Sequence, residues 1–508
     1  MVQRIRKNTP SAAPGDRGPL QAVAGALGLE GERMSKVDTA WLRMDSDTNR
    51  MVIVGIWILR PGITRAALAQ RVQERLLGYR RFRQCARLDA TGAHWLDDAD
   101  FSLDRHVVTH RLARRRGQDA RAALQARAGA LAMVPLDPVH PLWQFELIED
   151  YEGGSALIAR IHHCIADGIA LIGVMMSLVD GGRAPPRRKA RAPRQGLEAA
   201  EDWVADTLIR PFGDIAARAL DAAGGGAARS LSLLASPQQG LSESLDQAME
   251  LARLGGQLAS DLAALALMPD DAPTRLKGLP RGEKRVAWCE PVPLAEVKAI
   301  GKGLNCSVND VLLSCVAGAI GRYLRHHGED PAGKEIRAMV PINLRPLDEA
   351  WKLGNRFGLI PLVLPIGITN PIERVYAVRA RMNALKGSLQ PLLTFGLLSV
   401  AGLLIKPAQD AMLGLFGRKT TAVMTNVPGP GEKLKFCGAT LEQTMFWVPQ
   451  TGTVGLGVSI LSYGGGVQFG VIADSALCPD PQQIIDAFAP EFAQLLAATL
   501  MLPWGVDS

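Results

Sequence analysis

Two histidines and an aspartate lie within six residues of one another in the segment ARIHHCIADGIA, residues 159–170. His162 and His163 follow a short apolar run, and Asp167 and Gly168 directly precede a second one. An imidazole has an ordinary pKa of about 6.5, so it can take a proton from an alcohol near neutral pH. An aspartate can hold the imidazole, or the loop around it, in one orientation. Gly168 leaves room for a substrate. This pattern is compatible with a general base.

Two other kinds of reactive site are disfavoured by the same residues. His163 and Asp167 stand at positions i and i+4 and could share a helix face, but a stable metal site needs three or four ligands. No other cluster of ligand spacing occurs in the sequence, so we expect no metal. Cys164 follows a histidine directly, yet adjacent side chains point apart, which gives no support to a thiolate–imidazole pair.

A purely structural explanation also fits this segment. Asp167 can cap the following helix, with two partly buried histidines at its start. From the residues alone, the general base and the helix cap stay equal alternatives. The chain has a second pair, His326 and His327, which is followed by Gly328. We interpret that pair as structural, because basic residues and a glycine are common at the end of a helix.

The surrounding pattern places the first histidine pair at a strand-to-helix junction. The runs WQFELIE and SALIARI are separated by DYEGG and predict a hairpin that leads straight into His162. Residues 51–59 predict a buried strand, and residues 169–179 predict a buried helix. Ser35 and Asp38 are candidate caps for the first helix of the ordered chain.

The second half of the chain repeats the mixture of helix and strand. Residues 309–324 carry an apolar stripe at helical spacing, and IRAMVPIN, FGLIPLVL and TAVMTNV predict strands. VGLGVSIL and VQFGVIA, joined by SYGGG, predict a hairpin. The fold class is therefore α+β, with mixed sheets in two domains. We expect a flexible lead over residues 1–33, a first domain over 34–182, a basic Pro-rich linker and helical crossover over 183–282, and a second domain over 283–508.

Composition restricts the class of protein. The 508 residues are 47% hydrophobic and 21% charged, which indicates a globular chain. The apolar run at residues 392–405 is too short for a membrane span and favours a buried or interfacial helix; we identify no cleaved signal. Of the net charge of +7, part lies in RAPPRRKARAPR, residues 183–194, which could attract phosphates but is more simply a solvated linker. Seven widely spaced cysteines without a Cys-x-x-Cys motif suggest reduced thiols.

The motif His162-His163-x-x-x-Asp167-Gly168 resembles the HHxxxDG motif of the CoA-dependent acyltransferase superfamily. Further blocks narrow the resemblance, in the same order along the chain, to the bacterial wax ester synthase/diacylglycerol acyltransferase family. They include MSKVDTAWLRMDSDTNRMVIVG, PLDPVHPLWQFELIE, SVNDVLLSCVAGAIGRYLRHHGE, RAMVPINLRP, LGNRFGLIPLVLP, TNVPGP and LSYGGGVQFGVIADSALCPD. The resemblance covers roughly residues 34–497. No Asp-Phe-Gly-Trp-Gly block occurs, which counts against the plant and chloramphenicol acetyltransferase branches.

This resemblance implies transfer of a long-chain acyl group from acyl-CoA to a diacylglycerol or a fatty alcohol, giving triacylglycerol or wax ester. His163 would deprotonate the alcohol without an acyl-enzyme, Asp167 would hold the loop, and His162 would support it. The implied fold is two chloramphenicol-acetyltransferase-like domains with a tunnel between them, joined by a long helical crossover. Acyl-CoA is then a co-substrate, and no cofactor is expected.

The resemblance also assigns weaker roles to other positions. Pro141, Leu142 and Trp143 match a block associated with the acyl pocket, although a tryptophan before a strand is often only core. Asn309 and Asp310 match a paired Asn-Asp of the family, which would give Asn309 a direct substrate or oxyanion role. Ser307 and Asp310 also form a capping-box pattern that explains the pair by itself. Residues lining the tunnel would include Asn426, Pro428 and Gly429, whose surroundings equally fit a rigid turn.

Two other functions remain as alternatives at this stage. A condensation-type acyltransferase would use carrier-protein substrates, and a lipid-binding protein of the same fold would have no catalysis. For the leading function we expect a cytoplasmic protein held peripherally at the inner membrane face or at lipid inclusions. Neither a nucleic-acid partner nor a particular oligomeric state is indicated; with aromatic residues at 5%, stacking on bases has little support.

Overall fold

The structure is a computed structural model of the chain. It describes residues 31–89, 92–113, 116–182, 268–345, 353–385, 394, 395, 398 and 406–502. The predicted linker and crossover at residues 183–267 therefore lie outside the described residues, as does most of the apolar run at 392–405.

Both halves of the chain contain strands and helices. The elements of the first half are β1 (Glu32–Arg33), α1 (Lys36–Met44), β2 (Val52–Arg60), α2 (Arg65–Arg75), β3 (Gln84–Asp89), β4 (Gly92–Asp97), α3 (Leu103–His106), β5 (Val107–Thr109), α4 (Ala120–Met133), β6 (Trp143–Tyr151), β7 (Gly154–His162) and α5 (Gly168–Leu178). Those of the second half are β8 (Lys284–Trp288), β9 (Val292–Pro293), α6 (Leu294–Gly303), α7 (Val308–His326), β10 (Ile336–Asn343), β11 (Phe357–Leu364), α8 (Pro371–Leu385), α9 (Lys406–Arg418), β12 (Ala422–Pro428), β13 (Lys435–Phe436), β14 (Ala439–Trp447), β15 (Leu456–Tyr463), β16 (Gly466–Asp474) and α10 (Gln482–Leu500).

A six-stranded sheet carries the histidine pair. Its order is β13-β14-β2-β7-β6-β5, and only β5 and β6 run parallel. Strands β13 and β14 come from the second half of the chain, where Trp447 pairs with Val54 of β2. The chain after residue 283 therefore contributes strands to both large sheets. The domain limits given in the sequence analysis stay a prediction.

The larger sheet of the second half has the order β11-β10-β12-β15-β16-β8, with β9 pairing on β16. The pairs β10–β12 and β12–β15 are parallel and the others are antiparallel. Helix α7 is buried along most of its length and packs in one apolar cluster with α8, α10 and this sheet. A three-stranded sheet, β1-β4-β3, completes the fold, so the α+β prediction with mixed sheets is confirmed.

Turn chemistry explains why the two predicted hairpins form. Between β6 and β7, Glu152 and Gly153 have φ values of 50° and 74°, and between β15 and β16, Gly464 and Gly465 have 58° and 82°. Consecutive positive φ values give the turn that matches the right-handed twist of paired strands. The first hairpin ends at His162, so the turn sets the register that delivers the histidine pair to the end of β7.

Helix ends also follow the sequence signals. Ser35 caps α1 by accepting from the Asp38 amide at 3.0 Å, and Ser307 and Asp310 form a capping box at the start of α7. Helix α7 ends at His326, with His327 as its C-cap and Gly328 at a φ of 80°. The second histidine pair is thus part of a helix terminus, as predicted. Residues 32 and 33 pair with β4, so structure begins before the expected end of the lead at residue 33.

Two further sequence expectations concern membranes and thiols. Within the described ranges, no individual helix has the length and apolar character of a membrane span. The helices α6 and α7 meet those limits only when taken together, and they are bent by 101° where they join. The seven cysteines are all unpaired, and five of them are buried.

The two large sheets meet where Trp447 of β14 lies against Gly470 of β16. A Cβ atom added at Gly470 would stand 2.9 Å from the Trp447 ring, which is itself fully buried. We therefore expect Gly470→Ala to lower the free energy of unfolding by about 1–3 kcal/mol through overpacking. Urea denaturation followed by tryptophan fluorescence measures this change.

Gly414→Ala is the matched control. Gly414 lies in α9, and an added Cβ would meet nothing within 4 Å. Helix propensity then favours alanine by roughly 0.5–1 kcal/mol, so the same substitution has the opposite sign at this position. Equal effects at the two glycines would show that the contact with Trp447 does not restrict residue 470.

Candidate functional site

His162 closes the strand β7 and is held by backbone groups. Its amide donates to the Leu142 carbonyl at 2.9 Å, and its Nδ1 accepts from the Cys164 amide at 3.1 Å. Nδ1 is therefore the acceptor atom of the neutral ring, and the hydrogen lies on Nε2, 3.8 Å from Oδ1 of Asp45. Burial lowers the pKa of His162 to about 4, opposed by the charge of Asp45. His162 thus contributes its Nδ1 to the shape of the loop, while Nε2 faces the charge of Asp45 without a hydrogen bond to it.

His163 is buried against two aromatic rings that also contact each other. Its amide donates to the Met51 carbonyl at 2.7 Å, which anchors the residue to the start of β2. Trp41 stacks on the imidazole at 4.0 Å between centroids and 18° between planes, and Phe357 lies at 5.7 Å. Burial lowers the pKa of His163 to about 3, with His162 acting in the same direction. The imidazole is therefore neutral at physiological pH and able to accept a proton.

Asp167 turns away from both histidines and binds Arg345. The two guanidinium nitrogens lie 3.3 and 3.1 Å from the two carboxylate oxygens, and both side chains are almost fully buried. Asp167 also caps α5 through the Ala170 amide at 2.9 Å and accepts from the Arg356 amide at 2.9 Å. Within the described part of the chain, no hydrogen bond joins Asp167 to an imidazole. The helix cap considered in the sequence analysis is therefore observed. The role of Asp167 in holding the loop for catalysis stays a prediction, to which its contacts with Arg345 and the Arg356 amide are suited.

A short strap from the second half, residues 354–356, lies against the histidine loop. Gly354 forms an isolated parallel bridge with Ala166, and its carbonyl accepts from the Asp167 amide at 3.3 Å. Asn355 donates from Nδ2 to the His163 carbonyl and to Oδ1 of Asp38, both at 2.7 Å. The strap joins α1, the histidine loop and the second half of the chain in one buried network.

Sequence reasoning missed Arg345, Asn355, Asp38 and Trp41 as site residues. Burial raises the pKa of Asp38 to about 6, opposed by its hydrogen bonds to Asn355 and Ser35. All four missed residues lie in blocks that carry the family resemblance, and Asp38 was considered only as a cap. Their sequence separation from His163 hides the contacts, because no local spacing links residues 38, 163 and 355.

An apolar cavity of about 110 Å³ adjoins the histidine loop. Ile161 and Gly168, which flank the loop, both line it. An added Cβ at Gly168 would find only Phe446 within 4 Å, at 3.9 Å, so the glycine opens directly onto this space. The cavity is lined by both large sheets and by α5, through residues that include Gly55, Trp57, Met175, Met176, Val427, Pro428, Gly429, Phe446, Leu461 and Tyr463.

The remaining predicted site residues divide into two groups. Pro428 and Gly429 line the cavity, whereas Pro141, Leu142 and Trp143 are not among its lining residues. Trp143 is buried, donates from Nε1 to the Phe82 carbonyl at 2.9 Å and stacks on His106 at 4.4 Å. It is therefore a core residue of the first half, and the acyl-pocket role of its block stays a prediction.

Asn309 and Asn426 lie together on the other half of the molecule. Asn426 donates from Nδ2 to Oδ1 of Asn309 at 2.8 Å, while Asp310 is used by the capping box of α7. No contact between these residues and His163 is present in the described ranges. A substrate or oxyanion role for Asn309 therefore stays a prediction.

Other chemistry at the loop is disfavoured by the local environment. Burial raises the pKa of the Cys164 thiol well above its ordinary value, so a thiolate is not stabilised there. Among the residues that the structure describes, no group of three His, Cys, Asp or Glu side chains is arranged to hold a metal ion. The site offers a neutral imidazole held by backbone and aromatic contacts. The cavity between the two sheets is reached by Ile161 and Gly168 on either side of the loop, while the His163 ring is not among its lining residues.

Comparison with known proteins gives a consistent result. Residues 34–312 match the wax ester synthase/diacylglycerol acyltransferase catalytic domain, and residues 353–496 match the C-terminal domain of the same family. The probable diacylglycerol O-acyltransferase tgs1 of Mycobacterium tuberculosis is 27% identical over 476 residues, covering 91% of this chain and 96% of that protein.

Solved structures show the same fold. The wax ester synthase/diacylglycerol acyltransferase from Marinobacter aquaeolei VT8 superposes with a TM-score of 0.61 at 19% identity, covering 92% of this chain and 100% of that one. The first condensation domain of the calcium-dependent antibiotic synthetase gives 0.54 at 14% identity, covering 93% and 96%.

The fold and the site thus define a two-domain acyltransferase of the chloramphenicol-acetyltransferase type. The chain belongs to the wax ester synthase/diacylglycerol acyltransferase family, and the resemblance inferred from its sequence blocks is confirmed.

Removing Arg345 tests the ion pair that holds the loop. Arg345→Ala leaves Asp167 buried without its charge partner, so we expect unfolding free energy to fall by about 3–5 kcal/mol. Arg80→Ala is the control, because the Arg80–Asp97 pair is exposed and such pairs contribute about 0.2–1 kcal/mol. Chemical denaturation of both variants checks this, and equal losses would contradict a special role for Arg345.

The buried histidines predict loss of stability in acid. The unfolded chain protonates His162 and His163 near their ordinary pKa of 6.5, whereas the folded values are about 4 and 3. Above pH 6.5 both rings are neutral in the folded and the unfolded chain, so they do not reduce the free energy of unfolding. As pH falls from 6.5 towards the folded pKa values, only the unfolded chain binds protons, and the free energy of unfolding decreases. Asp38 has a raised pKa of about 6, so between about pH 6 and 3.8 it increases the free energy of unfolding as pH falls. This single carboxyl opposes two histidines, and we expect a net loss of stability.

Urea midpoints at pH 7 and pH 5 measure this dependence. We expect His162→Gln to show a smaller loss between the two pH values than the unsubstituted protein, because one proton-binding group is removed. His326→Gln, at an exposed histidine, is the control. A slope in His162→Gln equal to that of the control would contradict the prediction.

Proposed function

We propose that the protein transfers a long-chain acyl group from acyl-CoA to the hydroxyl of a diacylglycerol or a long-chain alcohol. The observation that carries this proposal is a neutral, buried His163 in a loop whose flanking residues, Ile161 and Gly168, line an apolar cavity between the two sheets. Family membership and the named diacylglycerol O-acyltransferase relatives support the reaction class. The products would be triacylglycerol or wax ester.

The proposed mechanism is a direct attack. Nε2 of His163 takes the proton of the acceptor hydroxyl as its oxygen attacks the thioester carbonyl. The carbon–sulfur bond then breaks, and the CoA thiolate recovers the proton from the imidazolium. The raised pKa of Cys164 supports a route without an acyl-enzyme. Asp167 and His162 act on the loop, because neither contacts the His163 ring through a hydrogen bond in the described structure.

The cavity suits hydrocarbon chains. Its lining is almost wholly apolar, and burial of each methylene group contributes about 0.8 kcal/mol to binding. Both proposed acceptors are poorly soluble in water, so we propose that the protein works on the cytoplasmic face of a membrane or on lipid inclusions, without spanning the bilayer. A condensation-type reaction with a carrier-protein substrate is the alternative. The similarity to condensation domains concerns the fold and does not favour that substrate.

Substitution of His163 tests the base. We expect His163→Ala to lower kcat by about 10²–10⁴, because general-base catalysis typically contributes that factor. CoA release is measured with palmitoyl-CoA and dioleoylglycerol. His327→Ala, at the second histidine pair, and Cys164→Ala are controls expected to retain turnover. Full activity in His163→Ala would overturn the base assignment, and inactivity of Cys164→Ala alone would favour a thiol nucleophile.

The acceptor class is tested separately on the unsubstituted enzyme. Turnover of palmitoyl-CoA is compared with dioleoylglycerol, hexadecanol and an acyl carrier protein substrate. We expect ester formation with one or both of the lipid alcohols, because their chains fit an apolar cavity. Transfer only from or to the carrier protein would contradict the proposed substrate class.

A further inference from the structure

We propose that Asn355, held in place by Asp38, is the positioning residue of His163. Its amide oxygen accepts the Nδ1 hydrogen of the imidazole and leaves the lone pair on Nε2 for the acceptor alcohol. This inference rests on the proposed role of His163 as the base. It assigns the orienting role to the strap of the second half rather than to Asp167, which is engaged by Arg345.

The orientation of the Asn355 amide is determined by its partners. Nδ2 lies 2.7 Å from the His163 carbonyl and 2.7 Å from Oδ1 of Asp38. A carbonyl and a carboxylate accept hydrogen bonds and do not donate them, so the NH₂ group must face both. The Asn355 backbone amide adds a third bond to Asp38 at 3.0 Å. With both NH₂ hydrogens used, the amide oxygen is left for another donor.

Two buried atoms at this point lack a partner, and their chemistry is complementary. Nδ1 of His163 and Oδ1 of Asn355 have no hydrogen bond among the residues that the structure describes. Burial lowers the pKa of His163, while the His163 backbone and, to a smaller extent, the Asn355 side chain raise it, as acceptors beside the ring do. Buried polar groups are rarely left unsatisfied, and catalytic hydrogen bonds often tighten only when substrate is bound.

The surroundings of the ring explain why an orienting amide is useful. An imidazole with a pKa of about 3 is neutral but a weak base, and an acceptor on Nδ1 stabilises the imidazolium as it forms. The ionisable groups around this contact are His162, with Asp45 facing it, Asp38 behind the amide, and the buried Cys164 thiol. The charge of Arg81 acts on Asp38 and lowers its pKa. Trp41 lies on the same helix as Asp38 and fixes the plane of the ring by stacking. One helix thus holds both the ring and the residue that orients it.

Asn355→Ala tests the positioning role, with Asn49→Ala as the matched control. Asn49 is also a buried asparagine that bridges the two halves, through the Gly452 carbonyl and Lys284, both at 2.9 Å. We expect Asn355→Ala to lower kcat by about 10- to 100-fold with little change in KM, a loss of the size seen for residues that orient a catalytic group. Asn49→Ala is expected to lose stability while keeping kcat. Unchanged kcat in both variants would overturn the inference.

A pH profile provides a readout that a merely structural role would not move. Loss of the amide removes an acceptor beside the ring, so the pKa of the imidazole falls and the acid limb of the kcat/KM profile of Asn355→Ala shifts to lower pH. Asn355→Ser, which keeps a hydroxyl donor for the His163 carbonyl, is the second variant if Asn355→Ala does not fold. A profile identical to that of the unsubstituted enzyme would overturn the inference.

The tautomer of His163 separates this inference from the proposed function. In the full chain labelled with ¹⁵N-histidine, His163→Gln identifies the signal of the ring. We expect an N–H type Nδ1 and a lone-pair type Nε2, and a mixture of tautomers in Asn355→Ala. The same tautomer distribution in both proteins would overturn the contact. If His163→Ala keeps full turnover, the base assignment fails, but the tautomer experiment still decides whether Asn355 orients the ring.

Discussion

The buried ion pair between Asp167 and Arg345 is the constraint on which the site depends. It joins the N-cap residue of α5 to Arg345, two residues after the end of β10, so it fixes one half of the chain against the other. A charged pair removed from water is stable only when both members are satisfied, and here the carboxylate also accepts from two backbone amides. The histidine loop is consequently shaped by contacts that neither half can supply alone.

Burial sets the chemistry of this loop. Both histidines are kept neutral by their apolar surroundings, although they are used differently. His162 has its Nδ1 occupied by the Cys164 amide, whereas His163 is held by its main-chain amide and by the stacked Trp41 ring. The two adjacent histidines are therefore held in different ways.

Much of the fold could be predicted from local patterns. The two hairpins, helix α7 and its capping box, and the strand-to-helix junction at His162 follow from alternation, turn residues and helix signals that act over a few residues. The position of β14 in the first sheet could not be predicted in this way. Its pairing with β2 joins residues 54 and 447, and no pattern within a few residues of either strand indicates the other strand. The motif also located the histidines, but the partners of Asp167 and His163 come from residues 345 and 355.

The position of β14 has a consequence for how the chain is made. Strand β2 lies between β7 and β14, so one of its edges stays unpaired during synthesis until residue 447 has left the ribosome. An open edge of apolar strand is prone to pairing with other chains. The first half is thus unable to complete its sheet as a nascent domain, because the sheet requires strands that are synthesised more than 370 residues after β2.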